Sequence, residues 1–405
     1  MSATTKAHGL DGSLVEPDWR ALNLVELRSI LAKFPDLGEP THIVSVSPRP
    51  FSAAGVVATR NDDGTEQRIF IKRHHRAVRD REGLLEEHRF LSHLRAHGAP
   101  VPRVLASAAG ETAIETGEWT YEVHEISPGI DLYQDAISWT PFRCADHSYS
   151  AGAALARLHL AAQSFDAPPR KPRPLVASFS IFSGSDPAAE IKRYLAARRS
   201  LAGHKAVHDC AAQALELLAP FHAELLPHLA ALVPLWTHND LHGSNLFWND
   251  AGQNACATAI IDFGLADKTN AVQDIAHAIE RNIVEWLALV NDPAHPDNVP
   301  IHLDHLDAFL DGYESVRQLS DEESRALAPM VALCHAEFAL SEADYFLGVL
   351  RSEQKAQMAY DGWLVGHARW FRSAAGRKLL EFIRRRAGRK DPVRVTRQEK
   401  KAARP

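Results

Sequence analysis

Residues 237–247, THNDLHGSNLF, place two histidines, an aspartate and two asparagines between apolar runs. Twenty-two residues past Asp240, the short β-type run Ala259-Ile260-Ile261 ends in Asp262, and Gly264 permits a sharp turn after it. A strand-loop-strand hairpin carrying Asp240 and Asn245, followed by a strand ending in Asp262, would bring three oxygen-bearing side chains together. Phosphoryl transfer from ATP needs such a set. The triphosphate requires a divalent cation, and Mg²⁺ prefers carboxylate, amide and phosphate oxygens. Asn245 and Asp262 suit the metal. Asp240 suits the carboxylate that orients an attacking hydroxyl and takes its proton late. Positioning and charge neutralisation supply most of the catalysis of such a transfer.

A lysine must also reach the α- and β-phosphates. Lys72 closes an apolar run, IFIK, and an acidic partner from the following helix, Glu87 or Glu86, would aim its flexible ammonium. An ion pair of this kind adds only ~0–1 kcal/mol to stability when exposed, so its use is positional.

The elements that must hold these residues are legible in outline. Residues 1–17 read as disordered. Residues 18–33 carry a helical rhythm, closed by Phe34-Pro35. THIVSVS, AAGVVATR and QRIFIKR read as strands, the last two joined by an NDDG turn. The run DREGLLEEHRFLSHLRAHG reads as a helix stopped by Gly98 and Pro100. PVPRVLAS and EWTYEVHEI read as two more strands. Beyond residues 127–129 the pattern turns helical: SAGAALARLHLAAQSF, a Pro-rich loop DAPPRKPRPL, two helices over about 187–227, short strands over 235–264, then helix to about 387. The organisation expected is a 1–40 extension with an accessory helix, a strand-rich nucleotide lobe over 41–126, a helical lobe over 127–387 bearing the catalytic loop, metal and acceptor sites, and a basic tail over 388–405. The seam between the lobes, near residues 124–129, is a natural ligand site.

Composition narrows the partners. The chain has 405 residues and a formal net charge of -6, with no global pull towards nucleic acid or an anionic membrane. The basic end, RKDPVRVTRQEKKAARP, reads as a solvated tail. Cys144, Cys210, Cys256 and Cys334 are scattered, so reduced, buried thiols are expected rather than a disulfide framework or zinc site. No run of about 18 uninterrupted apolar residues and no signal segment is present, which points to a cytoplasmic protein.

The ordered set Lys72, Glu87, HND at 238–240, Asn245 and IDFG at 261–264 resembles the protein-kinase-like fold. In detail it resembles the aminoglycoside phosphotransferase-like family, whose relatives include homoserine and choline or ethanolamine kinases. That family shows H-G-D-x-H-x-x-N where this chain has HNDLHGSN. GAALARLH at 152–159, PVPRV at 100–104 and DIAHAIE at 274–280 add to the likeness, which spans about residues 41–350.

The resemblance implies an α+β, bilobal kinase-like fold, with a small antiparallel-sheet lobe carrying one helix and a larger, mainly helical lobe. It implies an ATP- and Mg²⁺-dependent phosphotransferase acting on a hydroxyl of a small molecule: an amino alcohol, an amino acid, an amino sugar or an aminoglycoside. By position, Asp240 matches the catalytic aspartate, Asn245 and Asp262 the magnesium ligands, and Lys72 the phosphate-binding lysine. Glu87 matches the helix partner of that lysine, seven residues before Leu94. Asp274 matches an aspartate that braces the catalytic loop, and His238 supports the same loop. Backbone groups of Glu125 and Ser127 would meet adenine, and those of Ser52, Ala53 and Ala54 the β-phosphate. Asn239 stands where the family has glycine, so the loop is either stiffer or in contact with substrate. The covering loop SPRPFSAAG has one glycine, and no A-P-E segment follows Gly264, which counts against a peptide-docking loop. A kinase acting on protein and a nucleotide-binding pseudoenzyme are the alternatives.

One helical stretch, HAEFALSEADYF at 335–346, places Glu337, Ser341 and Asp344 on one face, with Phe338, Glu342 and Tyr345 on the neighbouring stripe. The acidic face would suit an amine-bearing acceptor; its alternative is an ordinary solvated face.

Overall fold

A computed structural model describes residues 7–9 and 11–388. The basic tail beyond 388 lies outside the described residues, as do residues 1–6 and 10 of the stretch expected to be disordered. The remainder of that stretch forms a small antiparallel hairpin, β1 (Ala7–His8) and β2 (Leu14–Val15).

Helix α1 (Leu24–Leu31) is shorter than its apolar rhythm suggests. The side chain of Asn23 accepts from the amides of Val25 and Glu26 and so sets its start. Strands β3 (Glu39–Val46), β4 (Ala53–Arg60) and β5 (Glu66–His75) follow, then α2 (Arg81–Ala96), β6 (Ile114–Thr116) and β7 (Trp119–Glu125). They make one five-stranded antiparallel sheet, ordered β3-β4-β5-β7-β6. The order of three strands, one helix and two strands agrees with the sequence pattern. PVPRVLAS, however, is not a strand: its share in the sheet is a single bridge, Val104 to His124. Two prolines in five residues deny it ladder donors, and the edge position goes to β6.

The rest is mainly helical: α3 (Ala145–Ala162), α4 (Pro187–Ala196), α5 (Arg199–Ala202) and α6 (Lys205–Leu225) precede the catalytic segment. Four short strands carry that segment: β8 (Pro234–Thr237), β9 (Leu246–Trp248), β10 (Ala257–Ile260) and β11 (Asp267–Asn270). Then come α7 (Ala271–Ile283), α8 (Trp286–Asn291), α9 (Leu303–Glu314), α10 (Asp321–Leu333), α11 (His335–Gly348), α12 (Glu353–Gln357), a π-helical stretch over Met358–Val365, α13 (Gly366–Phe371) and α14 (Ala374–Gly388). Helices α3 and α9 approach closely at two glycines. A Cβ on Gly152 would stand 2.0 Å from the Phe309 carbonyl oxygen, so this crossing excludes any side chain.

Two cores result. The sheet packs Val57, Ile69, Ile71, Tyr121 and Val123 against Leu27, Ile30 and Leu31 of α1, so the N-terminal helix is part of the sheet lobe's interior. Helix α2 belongs to the other core, where Phe90, Leu91 and Leu94 pack among residues of the helical lobe. This allegiance of α2 decides where Glu86 and Glu87 point. The linker after β7 is pinned by reciprocal hydrogen bonds between Ile130 and Trp248. Gly129 makes this possible: its φ is +107°, and a Cβ there would meet the Trp248 carbonyl oxygen at 2.6 Å.

Candidate active site

Strands β8 and β9 do not form the hairpin expected from the sequence. β8 pairs with β11 and β9 with β10. The loop 238–245 therefore joins two separate ribbons, and each ribbon brings in part of the segment around Asp262. Register alone could not distinguish these pairings, because all four strands are three or four residues long.

The loop is held from beneath by Asp274. Its carboxylate accepts the amides of His238 at 2.8 Å and Asn239 at 2.7 Å. It also meets His159 Nε2 at 2.9 Å, while His159 Nδ1 meets the Tyr313 hydroxyl. Burial pushes the Asp274 carboxyl up, but these bonds hold it below the usual range. His238 is a brace as well: its Nδ1 accepts the Asp240 amide, and its Nε2 donates to the Ile261 carbonyl. Asn239 has φ +60°, the left-handed region favoured by glycine. Its side chain turns into the protein, accepting from Thr237 and Thr269 and donating to the carbonyls of Ala177 and Leu265. It stiffens the loop and does not face the cleft. Asp262 also has positive φ, +59°.

Asp240, Asn245, Asp262 and Lys72 line one cavity of about 120 Å³ between sheet and helices. Asn245 Nδ2 donates to the Asp240 carbonyl at 2.9 Å and to its Oδ2 at 3.2 Å. The amide oxygen is thus the atom of Asn245 suited to a cation. Lys72 Nζ lies 2.8 Å from Asp262 Oδ1. Burial raises the proton affinity of the Asp262 carboxyl, but Lys72 outweighs it and keeps the group ionised far below the usual range. Lys72 is correspondingly raised, against burial, by Asp262, Glu122 and Glu87. Two oxygen donors, one of them a firmly ionised carboxylate, fit a hard divalent cation.

The partner expected for Lys72 is engaged elsewhere. Glu87 meets Arg170 Nη2 at 3.4 Å, and Glu86 meets Arg173 Nη2 at 3.5 Å. Both arginines come from the Pro-rich loop, and α2 leans on the helical core, so this loop claims both candidate glutamates. Lys72 bonds to Asp262 instead, and Glu87 acts on it only through space.

The acidic face of α11 is also corrected. Glu337 accepts from Ser178, from the amide and hydroxyl of Ser180, and from the Ile181 amide. Ser341 accepts the Val176 amide, and Asp344 binds Ser200 and lies 3.7 Å from Arg198. These three side chains are buried and pin residues 176–181 and α5. The neighbouring stripe reaches the cavity, which is lined by Phe338 and Glu342. Burial pushes the Glu342 carboxyl up to about 8.

In the covering loop, the cavity lining includes Ser52 and stops short of Ala53 and Ala54, which already pair with Arg73 and Lys72 in the sheet. At the hinge, the Glu125 amide donates to the Arg103 carbonyl, and Ser127 is buried.

Three arginines escaped the sequence reading. Arg281 Nη2 stands 3.2 Å from Asp240 Oδ1. Arg49, from the covering loop, crosses the cleft to Ser244, the Ala136 carbonyl and Ser138. Arg79 ties the β5–α2 turn to the carbonyls of Pro174, Leu175 and Gly264. Only Arg281 had a usable signal: it lies seven residues, two helical turns, beyond Asp274 and so shares its face. Burial pushes the Asp240 carboxyl up, and Arg281 opposes that shift. His242, 3.8 Å from Asp240 Oδ2, is held neutral by burial and by the nearby Arg49 and Arg281.

The model of the phosphotransferase enzyme family matches residues 56–319, more than half of the chain. The chain belongs to the phosphotransferase enzyme family. Solved structures of phosphotransferases are similar to the chain at low identity. Amicoumacin kinase hAmiN, in complex with AMP-PNP, Ca²⁺ and Ami, is 15% identical, covers 85% of this chain and 95% of its own, and has a TM-score of 0.51. An aminoglycoside phosphotransferase from Alicyclobacillus acidocaldarius is 15% identical over 91% of this chain and 98% of its own, with a TM-score of 0.47. No curated protein sequence matches. The phosphotransferase has the kinase-like α+β fold and transfers phosphate to a hydroxyl. Among its described residues no helix is long and apolar enough to cross a membrane. All four cysteines are free; Cys334 is buried and Cys256 is exposed, so burial of the thiols holds in part.

Proposed function

We propose that this phosphotransferase moves the γ-phosphate of ATP, with Mg²⁺, to a hydroxyl of a small molecule bound in the cavity beneath Arg49. The observation that carries this reading is the convergence of Asp240, Asn245, Asp262 and Lys72 on one cavity. Asn245 and Asp262 would hold the magnesium, which supplies neutralisation of phosphate charge. Lys72 would leave its bond to Asp262 for the α- and β-phosphates. The backbone of Ser52, which lines the cavity, would meet the β-phosphate.

Asp240 orients the acceptor hydroxyl and takes its proton as the phosphoryl group departs. Burial makes it a stronger base than an ordinary aspartate, and Arg281 keeps it ionised beforehand. Arg49, which feels both Asp240 and Asp262, stands ready to stabilise charge on the transferring group. The acceptor is bounded by Ile137, Trp139 and Phe338, with Glu342 as a third carboxylate on the wall. The N-terminal segment closes this side, since Gly9 lines the cavity and Gly12 lies against Ile137 and Leu287.

The test pairs two variants with a panel of hydroxylated metabolites and aminoglycosides. Thermal shift with a non-hydrolysable ATP analogue and Mg²⁺ finds the acceptor, and turnover is then assayed. Asp240→Ala should bind nucleotide like the parent yet lose turnover, whereas Lys72→Met should lose nucleotide affinity. Full activity in Asp240→Ala would refute the role of Asp240.

A further inference from the structure

Two buried clusters outside the catalytic set bring imidazoles to a glutamate. In the sheet lobe, His74, His88 and His124 all meet Glu122, at 3.0, 2.9 and 2.9 Å. These are hydrogen-bond lengths, and three ring N–H groups donating to one carboxylate account for them.

The second cluster, Glu280, His335 and His367, is different. Each is at least nine-tenths buried. Each can offer one atom, and those three atoms lie within 4.8 Å of one another. His335 Nδ1 stands 3.4 Å and His367 Nδ1 3.6 Å from Glu280 Oε1. These spacings are too long for N–H···O bonds, and all four ring nitrogens and Glu280 Oε2 lack a hydrogen-bond partner among the described residues. Orphaned polar atoms at this depth are costly, because burial removes their water without supplying a partner. The same spacings suit coordination: donors about 2.0–2.1 Å from a tetrahedral ion stand about 3.3 Å apart.

We propose that Glu280, His335 and His367 form a binding site for a transition cation of the Zn²⁺ class, separate from the nucleotide-bound magnesium. Imidazole donors select such an ion over Mg²⁺. The surroundings are those of an ordered site. Trp139 Nε1 donates to Glu280 Oε1 at 3.1 Å, fixing the carboxylate, and Trp286 stacks on His367 at 3.7 Å between ring centroids. Glu280 precedes Arg281 on α7, so an ion here would stiffen the turn that aims Arg281 at Asp240.

The test uses full-length, tag-free protein incubated with Zn²⁺ and freed of loosely held metal, with zinc measured by plasma mass spectrometry. The parent and an Asp262→Asn control should each retain ~1 equivalent, and His335→Gln and His367→Gln should retain none. No zinc in the parent, equal zinc in both histidine variants, or loss only in Asp262→Asn would overturn the site. Should the histidine variants fail to fold, Co²⁺ added to the parent decides the matter. Intense visible bands of four-coordinate cobalt, displaced by Zn²⁺ and kept in Asp262→Asn, support the proposal; the spectrum of free aqueous Co²⁺ overturns it.

Discussion

The Arg281 guanidinium reaches Asp240 Oδ1 at 3.2 Å while lying 4.9 Å from the ring centroid of Trp139 and 4.8 Å from that of Phe338. Two aromatic faces thus hold a cation against the carboxylate assigned as base. Removing Arg281 takes away the charge that most strongly opposes the effect of burial on that carboxylate. Arg281→Met should therefore lower kcat by about 100-fold or more while nucleotide affinity stays within about threefold. Arg281→Lys should recover part of kcat, since its charge returns without the planar fork. Steady-state kinetics with nucleotide titration checks this, and near-parental kcat in Arg281→Met would sink it.

Asn239 combines a left-handed backbone with four side-chain hydrogen bonds. Asn239→Gly relieves the backbone and forfeits the bonds, for a net loss of about 1–3 kcal/mol. Asn239→Ala forfeits the same bonds and keeps the strained φ, costing about 1 kcal/mol more. Urea unfolding should rank parent, glycine variant, alanine variant. A glycine variant more stable than the parent would show that the asparagine bonds contribute little.

Glu337 receives four hydrogen bonds from residues 178–181 and has no place on the cavity wall. Glu337→Ala should cost about 3 kcal/mol or more, since buried donors lose their acceptor. The acceptor KM of the folded fraction should not move. A large KM change with unaltered stability would return Glu337 to the substrate site.

Glu342 gives the pH prediction. Its folded carboxyl titrates at about 8 against an ordinary 4.5, because of burial, with Arg281 opposing and Glu280 and Asp240 reinforcing the shift. The folded state therefore holds a proton that the unfolded state releases above about 4.5. Its contribution to stability is complete below that pH and drains away as pH rises towards 8. Glu342→Gln removes this loss, so its Tm relative to the parent should be higher at pH 8.5 than at pH 5, by the equivalent of about 1–3 kcal/mol. Equal differences at the two pH values would contradict the assignment.

Motifs that work over a few residues were legible. The aspartates and asparagine of the catalytic loop and the lysine of the third sheet strand are given by local pattern and chain order, the brace at Asp274 by the family resemblance, and four of the five sheet strands by alternation and turns; β6 took the place of the strand expected at PVPRVLAS. The partnerships of those residues were not. Glu86 and Glu87 were read as serving Lys72, yet α2 packs its apolar face into the helical core and a distant Pro-rich loop takes both. Glu337 and Glu342 are five residues apart on one helix, and nothing local says which faces the cavity, because both faces are buried. Arg49, Arg79 and Arg281 are ordinary arginines until folding removes the water around them. Sequence by itself determined which side chains can do chemistry and in what order they occur. Only the tertiary structure decided which of them meet, because long, flexible charged side chains find their partners by packing and desolvation across the fold.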